Sequence, residues 1–183
     1  NDLDTLVLID DSIVRGTTLR NSILRNLARL KPKKIIIISS CPQIRFPDCY
    51  GIDMSKMSEF VAFQALVELL RKNNKAYLLD ETYQRCKMQE KIPKGEVTNE
   101  VKALYKEFTP EEISAEIARI VKPIDLDIEI EVIYQGLEGL HAACPNHTGD
   151  WYFSGDYPTP GGNKVANRAF TNYMEKINER AYA

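Results

Sequence analysis

The sequence predicts an α/β fold, in which a parallel sheet is flanked by helices and carries a helical insertion in its C-terminal part. Two short apolar segments, residues 5–9 and 34–39, have the pattern of buried strands, and an amphipathic helical pattern at residues 18–30 separates them. A third strand pattern, at residues 127–134, returns after a long helical stretch. Strands that alternate with helical patterns in this way are typical of parallel sheets.

The first part of the chain predicts one strand–helix–strand unit. Leucine and isoleucine recur at helical spacing over residues 18–30, and the pair Lys31-Pro32 ends that helix. Residues 35–38 are four successive isoleucines. A run without alternation is typical of a central parallel strand buried on both faces. The connection between the two strands is expected to be right-handed.

Helical patterns dominate the middle of the chain, over residues 58–72, 77–89, 99–108 and 109–121. The last of these starts with Thr109-Pro110-Glu111-Glu112, which is a capping box with proline at the first helical position. Residues 127–134 then alternate apolar with acidic side chains. That alternation predicts a half-exposed strand at or near an edge of the sheet.

The C-terminal part predicts a short helix over residues 135–143, a turn over 158–162 and a final amphipathic helix over 166–180. Between them, Trp151-Tyr152-Phe153 fits either a short strand or an aromatic packing cluster. The sequence alone leaves these two interpretations open.

The chain is expected to divide into a core segment (1–73), a helical insertion (74–127) and a segment with the returning strand and C-terminal helices (128–183). We expect the three to pack as one unit, because 183 residues suit one domain with an appendage. Asn1 precedes a core strand by only a few residues. We therefore expect the sequence to be a fragment of a longer protein.

Composition restricts the class of partner. The chain has 24 basic and 26 acidic residues, well mixed, and a net charge of −2, so nucleic acid and anionic membranes are not expected partners. Its apolar runs are far too short to span a bilayer. No signal-peptide pattern is recognisable, and a cytoplasmic location is expected.

The first strand is followed by the segment with the clearest chemistry. It comprises Asp10, Asp11, Ser12, Ile13, Val14, Arg15, Gly16, Thr17 and Thr18. Backbone N–H groups of a glycine-containing loop that opens a helix suit a phosphate, and the hydroxyls add donors. Two adjacent carboxylates suit sugar hydroxyls or Mg²⁺ instead. The predicted ligand is a phosphorylated sugar with a metal. The alternative is a buried strand that merely ends in an acidic turn.

This segment resembles the phosphoribosylpyrophosphate (PRPP) motif of the type I phosphoribosyltransferases. The form Asp-Asp-Ser-Ile-Val-Arg-Gly-Thr-Thr resembles the family of glutamine PRPP amidotransferases in particular. A second stretch, Pro-Gln-Ile-Arg-Phe-Pro-Asp-Cys-Tyr-Gly-Ile-Asp-Met at residues 42–54, agrees. The resemblance covers about the first 60 residues and returns at 137–140 and 155–159.

The resemblance implies a partial type I phosphoribosyltransferase (Rossmann-like) fold, with residues 1–73 as the C-terminal half of its core. It implies that Asp10 and Asp11 bind the ribose hydroxyls and Mg²⁺, and that residues 12–18 hold the 5′-phosphate of PRPP. Members of the family are glycosyltransferases that form 5-phosphoribosylamine from PRPP and glutamine-derived ammonia in de novo purine biosynthesis. Their glutaminase domain and the earlier phosphoribosyltransferase segments are absent here, so the fragment alone is expected to be inactive. A homo-oligomer is expected.

Two further expectations concern the loop after the second strand. Arg45 and Tyr50 form a possible ligand loop, because a guanidinium can meet a diphosphate. The alternative is a plain connector packed by its apolar side chains. Some family members hold an iron–sulfur cluster through cysteines where this sequence has Asp48, Gly149 and Tyr152. No cluster is therefore expected.

Three other functions stay open at this point. A salvage-type phosphoribosyltransferase shares the acidic-pair motif, although the stretch at residues 42–54 argues against it. A non-catalytic PRPP-binding regulator could retain the same fold. Residues 74–183 could instead form a separate interaction module.

Overall fold

The computed structural model describes residues 4–51 and 54–181, so Ile52 and Asp53, at the end of the predicted ligand loop, lie outside the described residues. The predicted α/β fold is confirmed, and it is compatible with a partial phosphoribosyltransferase fold. The sheet strands are β1 (Thr5–Asp10), β2 (Lys34–Ser39) and β3 (Glu129–Tyr134). All pairs are parallel, in the order β1-β2-β3.

The helices follow the order that the sequence predicts, with one additional short helix at Trp151–Ser154. A π-helical turn at Leu19–Ile23 precedes α1, and a 3₁₀ turn at Met57–Glu59 precedes α2. The helices are α1 (Leu24–Ala28), α2 (Val61–Lys72), α3 (Tyr77–Gln89), α4 (Lys102–Tyr105), α5 (Pro110–Val121), α6 (Leu137–Ala143), α7 (Trp151–Ser154) and α8 (Pro160–Glu175). In this set, α4 is shorter than the predicted helix over residues 99–108. No helix of the described residues combines the length and the apolar character needed to cross a membrane.

The core lies on one side of the sheet. Ile35 and Ile37 of β2 are fully buried, as is Phe63 of α2. In the packing on that side, α5 contacts β3 and α2 contacts α5. The connections from β1 to β2 and from β2 to β3 advance in the same direction along the sheet. Right-handed connections therefore bring the helices of both to the same face of the sheet.

The opposite face of the sheet is more open. Val7 and Ile9 of β1 are 57% and 72% exposed, so the prediction of a buried strand at residues 5–9 is wrong for this face. Ile133 of β3 is 41% exposed. Ile36 and Ile38 are only half-buried, so the expectation that β2 is buried on both faces holds for one face and is wrong for the other. Its central position and the edge position of β3 are confirmed.

The C-terminal part corrects two expectations. Residues 151–154 form the short helix α7, so the strand interpretation of Trp151-Tyr152-Phe153 is wrong. The final helix begins at Pro160, inside the predicted turn, and ends at Glu175. It starts early because Thr159 caps it and proline occupies its first position, and it stops where Lys176 adopts φ +58°.

Candidate functional site

The acidic pair lies at the carboxyl end of β1, the edge at which open α/β sheets bind ligands. The backbone N–H of Asp11 donates to Asp10 Oδ1 (3.1 Å), and the N–H of Ser40 donates to Asp10 O (2.9 Å). Asp10 is half-buried and Asp11 is exposed. Among the ion pairs of residues 4–51 and 54–181, none joins either carboxylate to a cation. The pair is therefore available to a hydroxyl or a metal ion.

Gly16 shapes the loop that follows. Its φ of +69° favours glycine, and a Cβ there would lie 2.7 Å from Cγ1 of Val121. Nearby, the N–H of Val61 donates to Val14 O (2.8 Å), and Ile13 is buried. The loop thus bends sharply while packed against the first residue of α2 and the last residue of α5.

Arg15 fixes the same loop from outside. Its Nε donates to Glu59 Oε2 (2.8 Å), and its Nη2 lies 2.6 Å from the same oxygen. Glu59 belongs to the 3₁₀ turn before α2. Arg15 therefore has a partner within the protein.

The hydroxyls of the loop are placed where a phosphate could meet them. Thr17 and Thr18 are exposed and Ser12 is half-buried. None of the three hydroxyls takes part in a hydrogen bond of the described structure. The helix then continues through a π-helical turn, a feature frequent at functional sites.

Cys41 is a neighbour of the acidic pair that sequence reasoning missed. Burial raises the pKa of its thiol; contact with Ser39 Oγ (3.7 Å) lowers that pKa, and the charges of Asp11 and Asp10 raise it again. The net direction is upward, so the thiol stays protonated at neutral pH. The proximity of Cys41 could have been predicted from the parallel sheet, because parallel pairing brings the carboxyl ends of β1 and β2 together.

Arg45 and Tyr50, the predicted ligand loop, lie elsewhere. Arg45 donates through Nε and Nη2 to Gln43 Oε1 (3.1 and 2.7 Å), and its guanidinium lies 5.2 Å from the centre of the Tyr105 ring. Tyr50 is 65% exposed and meets Trp151 edge to face. In the described structure no hydrogen bond, ion pair or ring contact joins either residue to residues 10–18.

The loop that holds these two residues is anchored by the C-terminal part of the chain. Tyr152 Oη donates to the fully buried Asp48 (2.7 Å), and the N–H of Tyr50 donates to the other carboxylate oxygen of Asp48 (2.8 Å). The Tyr157 hydroxyl donates to Pro47 O (2.6 Å). The stretch at 42–54 and the segment around 155–159, which resemble the same family, are thus in contact.

The two carboxylates at the end of β1 could supply some, but not all, of the ligands of a Mg²⁺ ion. Within the part of the chain that the structure describes, no three His, Cys, Asp or Glu side chains are grouped around a possible metal position. Mg²⁺ commonly uses one or two carboxylates together with substrate phosphates and water. Asp10 and Asp11 supply those carboxylates, so the residues fit a metal that arrives with a phosphorylated ligand.

A parallel sheet with an acidic pair and a tight glycine loop at one strand end defines an α/β protein with a candidate ligand site at the carboxyl edge of its sheet. The chain is similar to the amidophosphoribosyltransferases of Escherichia coli (strain K12), 42% identical over 66 residues, and of Pasteurella multocida (strain Pm70), 42% identical over 67 residues. It is 45% identical over 58 residues to that of Haemophilus influenzae. These matches confirm the predicted resemblance over about a third of the chain.

The similarity has defined limits. The matched residues make up 36%, 37% and 32% of this chain, and 13%, 13% and 11% of the three relatives in the same order. The chain therefore spans a small part of the length of the curated relatives that it matches. No family model matches the chain.

Proposed function

We propose that this chain is the phosphoribosyl-binding part of an amidophosphoribosyltransferase, a glycosyltransferase of de novo purine biosynthesis. The parent protein would form 5-phosphoribosylamine from PRPP and glutamine-derived ammonia. One observation carries the proposal: Asp10 and Asp11, without a cation partner in the described residues, stand beside a loop whose left-handed bend and close packing at position 16 favour glycine. The similarity to amidophosphoribosyltransferases supports it.

In this proposal the residues bind and orient the ligand. The backbone N–H groups of residues 12–18 and the hydroxyls of Thr17 and Thr18 hold the 5′-phosphate, while Asp10 and Asp11 bind the ribose hydroxyls. The same two carboxylates would hold Mg²⁺, which neutralises the diphosphate leaving group when bound. Catalysis then depends on positioning the sugar for attack at C1. A contribution of Arg45 and Tyr50 stays a prediction.

The proposed partners are a glutaminase domain and earlier phosphoribosyltransferase segments of the same protein, together with further copies of it. Parallel sheets are normally covered on both faces, and here Val7 and Ile9 leave one face open. Without those segments we expect the fragment to be inactive. We propose that no iron–sulfur cluster is present, since Asp48 and Tyr152 bond to each other.

The first test is calorimetric titration of PRPP with Mg²⁺ into the chain and into the double variant Asp10→Asn, Asp11→Asn. Loss of two carboxylates removes the metal ligands and the ribose acceptors, so we expect binding to weaken at least about a hundredfold, as for two lost hydrogen bonds to charged groups.

The control is the double variant Asp80→Asn, Asp127→Asn, which removes the same charge from two exposed positions outside the site. Its affinity for PRPP should equal that of the unmodified chain. Equal affinity in all three proteins would contradict the proposed site.

A further inference from the structure

A groove beside the edge strand β3 contains an arginine whose hydrogen-bonding capacity is only partly used. The groove has a volume of about 810 Å³ and lies between β3 and α5. Arg45 and Gln43 line it at the end where β3 finishes. That end shares the carboxyl edge of the sheet with Asp10, because Asp10, Ser39 and Tyr134 form one register row.

The guanidinium of Arg45 is held in a fixed orientation. One edge, Nε and Nη2, donates to Gln43 Oε1, and one face lies against the Tyr105 ring. Gln43 is itself buried, and its Nε2 donates to Pro110 O (2.8 Å) and Ser114 Oγ (2.9 Å). An arginine fixed on two sides loses little conformational freedom when it binds a ligand.

The rest of the guanidinium has no acceptor among residues 4–51 and 54–181. A guanidinium carries five N–H donors, and Gln43 takes two of those of Arg45, which leaves the Nη1/Nη2 side without a partner in the described residues. By contrast, Arg15, Arg25 and Arg119 each pair with a carboxylate. Burial lowers the pKa of Arg45, and the negative charge of Glu111 opposes that shift. Among the described residues, Glu111 and Arg45 do not form an ion pair.

The surroundings indicate which anion fits. Three glutamates line the same groove, but Glu129 and Glu131 are both paired with Lys34 (2.8 and 2.6 Å). Glu111 is therefore the carboxylate that would repel a ligand with a charge of −2. A single carboxylate matches the two-pronged donor side of a guanidinium. Apolar residues, among them Ala115 and Phe153, line the remainder of the groove and suit a carbon skeleton.

We propose that this groove binds a small organic acid through its carboxylate, with Arg45 as the binding residue. The site is separate from the acidic pair, since two strand spacings put β3 about 10 Å from β1. The proposal therefore rests on Arg45 and its groove and does not depend on the proposed function.

The test follows benzoate, acetate and inorganic phosphate by NMR titration of the Arg45 guanidinium proton–nitrogen signals and by calorimetry. We expect saturable binding of benzoate with a dissociation constant on the order of 1 mM. Phosphate should bind more weakly than benzoate because Glu111 repels its second negative charge and the apolar part of the groove offers it no contact. No saturation by benzoate, or tighter binding of phosphate, would overturn the proposal.

Two variants change the affinity in opposite directions. Arg45→Lys keeps the charge but loses the two-pronged donor side, and benzoate should bind about tenfold more weakly. Glu111→Gln, at an exposed position, removes repulsion and should strengthen binding about twofold. Glu96→Gln, exposed and outside the groove, is the control and should change nothing.

The variants also separate this site from the PRPP site. Asp10→Asn with Asp11→Asn should leave benzoate binding intact, whatever its effect on PRPP. If Arg45→Lys instead weakens PRPP binding and leaves benzoate unaffected, the groove assignment is wrong, and Arg45 belongs to the ligand loop predicted from the sequence.

Discussion

At the scale of single residues, the geometry of the loop depends on the close packing of Gly16 against Val121. Gly16 adopts φ +69°, and its Cα faces Cγ1 of Val121 and the side chain of Val61. A side chain at this position is therefore strained by its own backbone and also overlaps a buried neighbour. Either effect alone would disfavour other residues, and their combination explains why glycine is required.

We expect Gly16→Ala to lower the free energy of unfolding by about 2–4 kcal/mol, from the left-handed backbone and the overlap together. Urea unfolding measures this change. In a Val121→Ala background the loss caused by Gly16→Ala should be smaller, because the overlap is gone and only the backbone strain remains.

Gly95→Ala is the matched control, since nothing lies within 4 Å of a Cβ there and its backbone is not in the left-handed region. It should leave stability nearly unchanged. If Gly16→Ala were equally harmless, the described loop geometry would be wrong.

Local sequence could predict the residues of the acidic loop but not their neighbours. Asp10, Asp11 and Gly16 follow directly from a strand, a turn and a helix start that are consecutive in the chain. The proximity of Cys41, and the position of Arg45 beside β3, depend on strand order and on the packing of α5. Neither can be read from residues adjacent in sequence.

At the scale of elements, strong local signals gave correct boundaries. The capping box starts α5 as expected, with Glu112 N donating to Thr109 Oγ1 (3.2 Å) and Thr109 N donating to Glu112 Oε2 (2.7 Å). The start of α8 was missed because Gly161 and Gly162 are poor helix formers. Glycine is nevertheless favoured at position 162 by packing, because a Cβ there would lie 2.3 Å from the Tyr157 ring.

Glu116 joins α5 to α2, because Lys72 and Arg119 both bond to its buried carboxylate (2.6 and 2.7 Å). Burial alone would raise the pKa of Glu116, but these two hydrogen bonds hold it below its ordinary value. The stabilisation is therefore present above the unfolded pKa of about 4.3 and is lost as pH falls through the lower folded pKa.

Glu116→Gln should thus destabilise the protein by about 1–2 kcal/mol at pH 7, since both cationic partners can still reach water. Urea unfolding between pH 7 and 3 measures the effect, and the difference from the unmodified chain should shrink toward pH 3. Glu138→Gln, at an exposed position of α6, should show no such pH-dependent difference. A difference that stayed constant with pH would contradict this role of the charge.

At the scale of the whole molecule, the open sheet face should govern association. Burying an aliphatic side chain of this size contributes about 1.5–3 kcal/mol, and Val7 and Ile9 are both exposed on the same face. We expect the isolated chain to self-associate through it. Val7→Lys with Ile9→Lys should shift sedimentation toward the monomer.

Met88→Lys is the control, because Met88 is an exposed apolar residue on α3, away from the sheet. It should not change the sedimentation profile. If both variants sediment like the unmodified chain, association does not use the open face.

The contact between Gly16 and Val121 has a consequence for how the chain can be shortened. Val121 is the last residue of α5, so the end of the long helical stretch packs against the loop at Gly16. A chain from which that stretch was excised would lose the support that holds the bend at Gly16. A variant that unfolds the helical stretch should therefore also lose ligand binding at the loop, even though the stretch supplies none of the proposed ligand-binding residues.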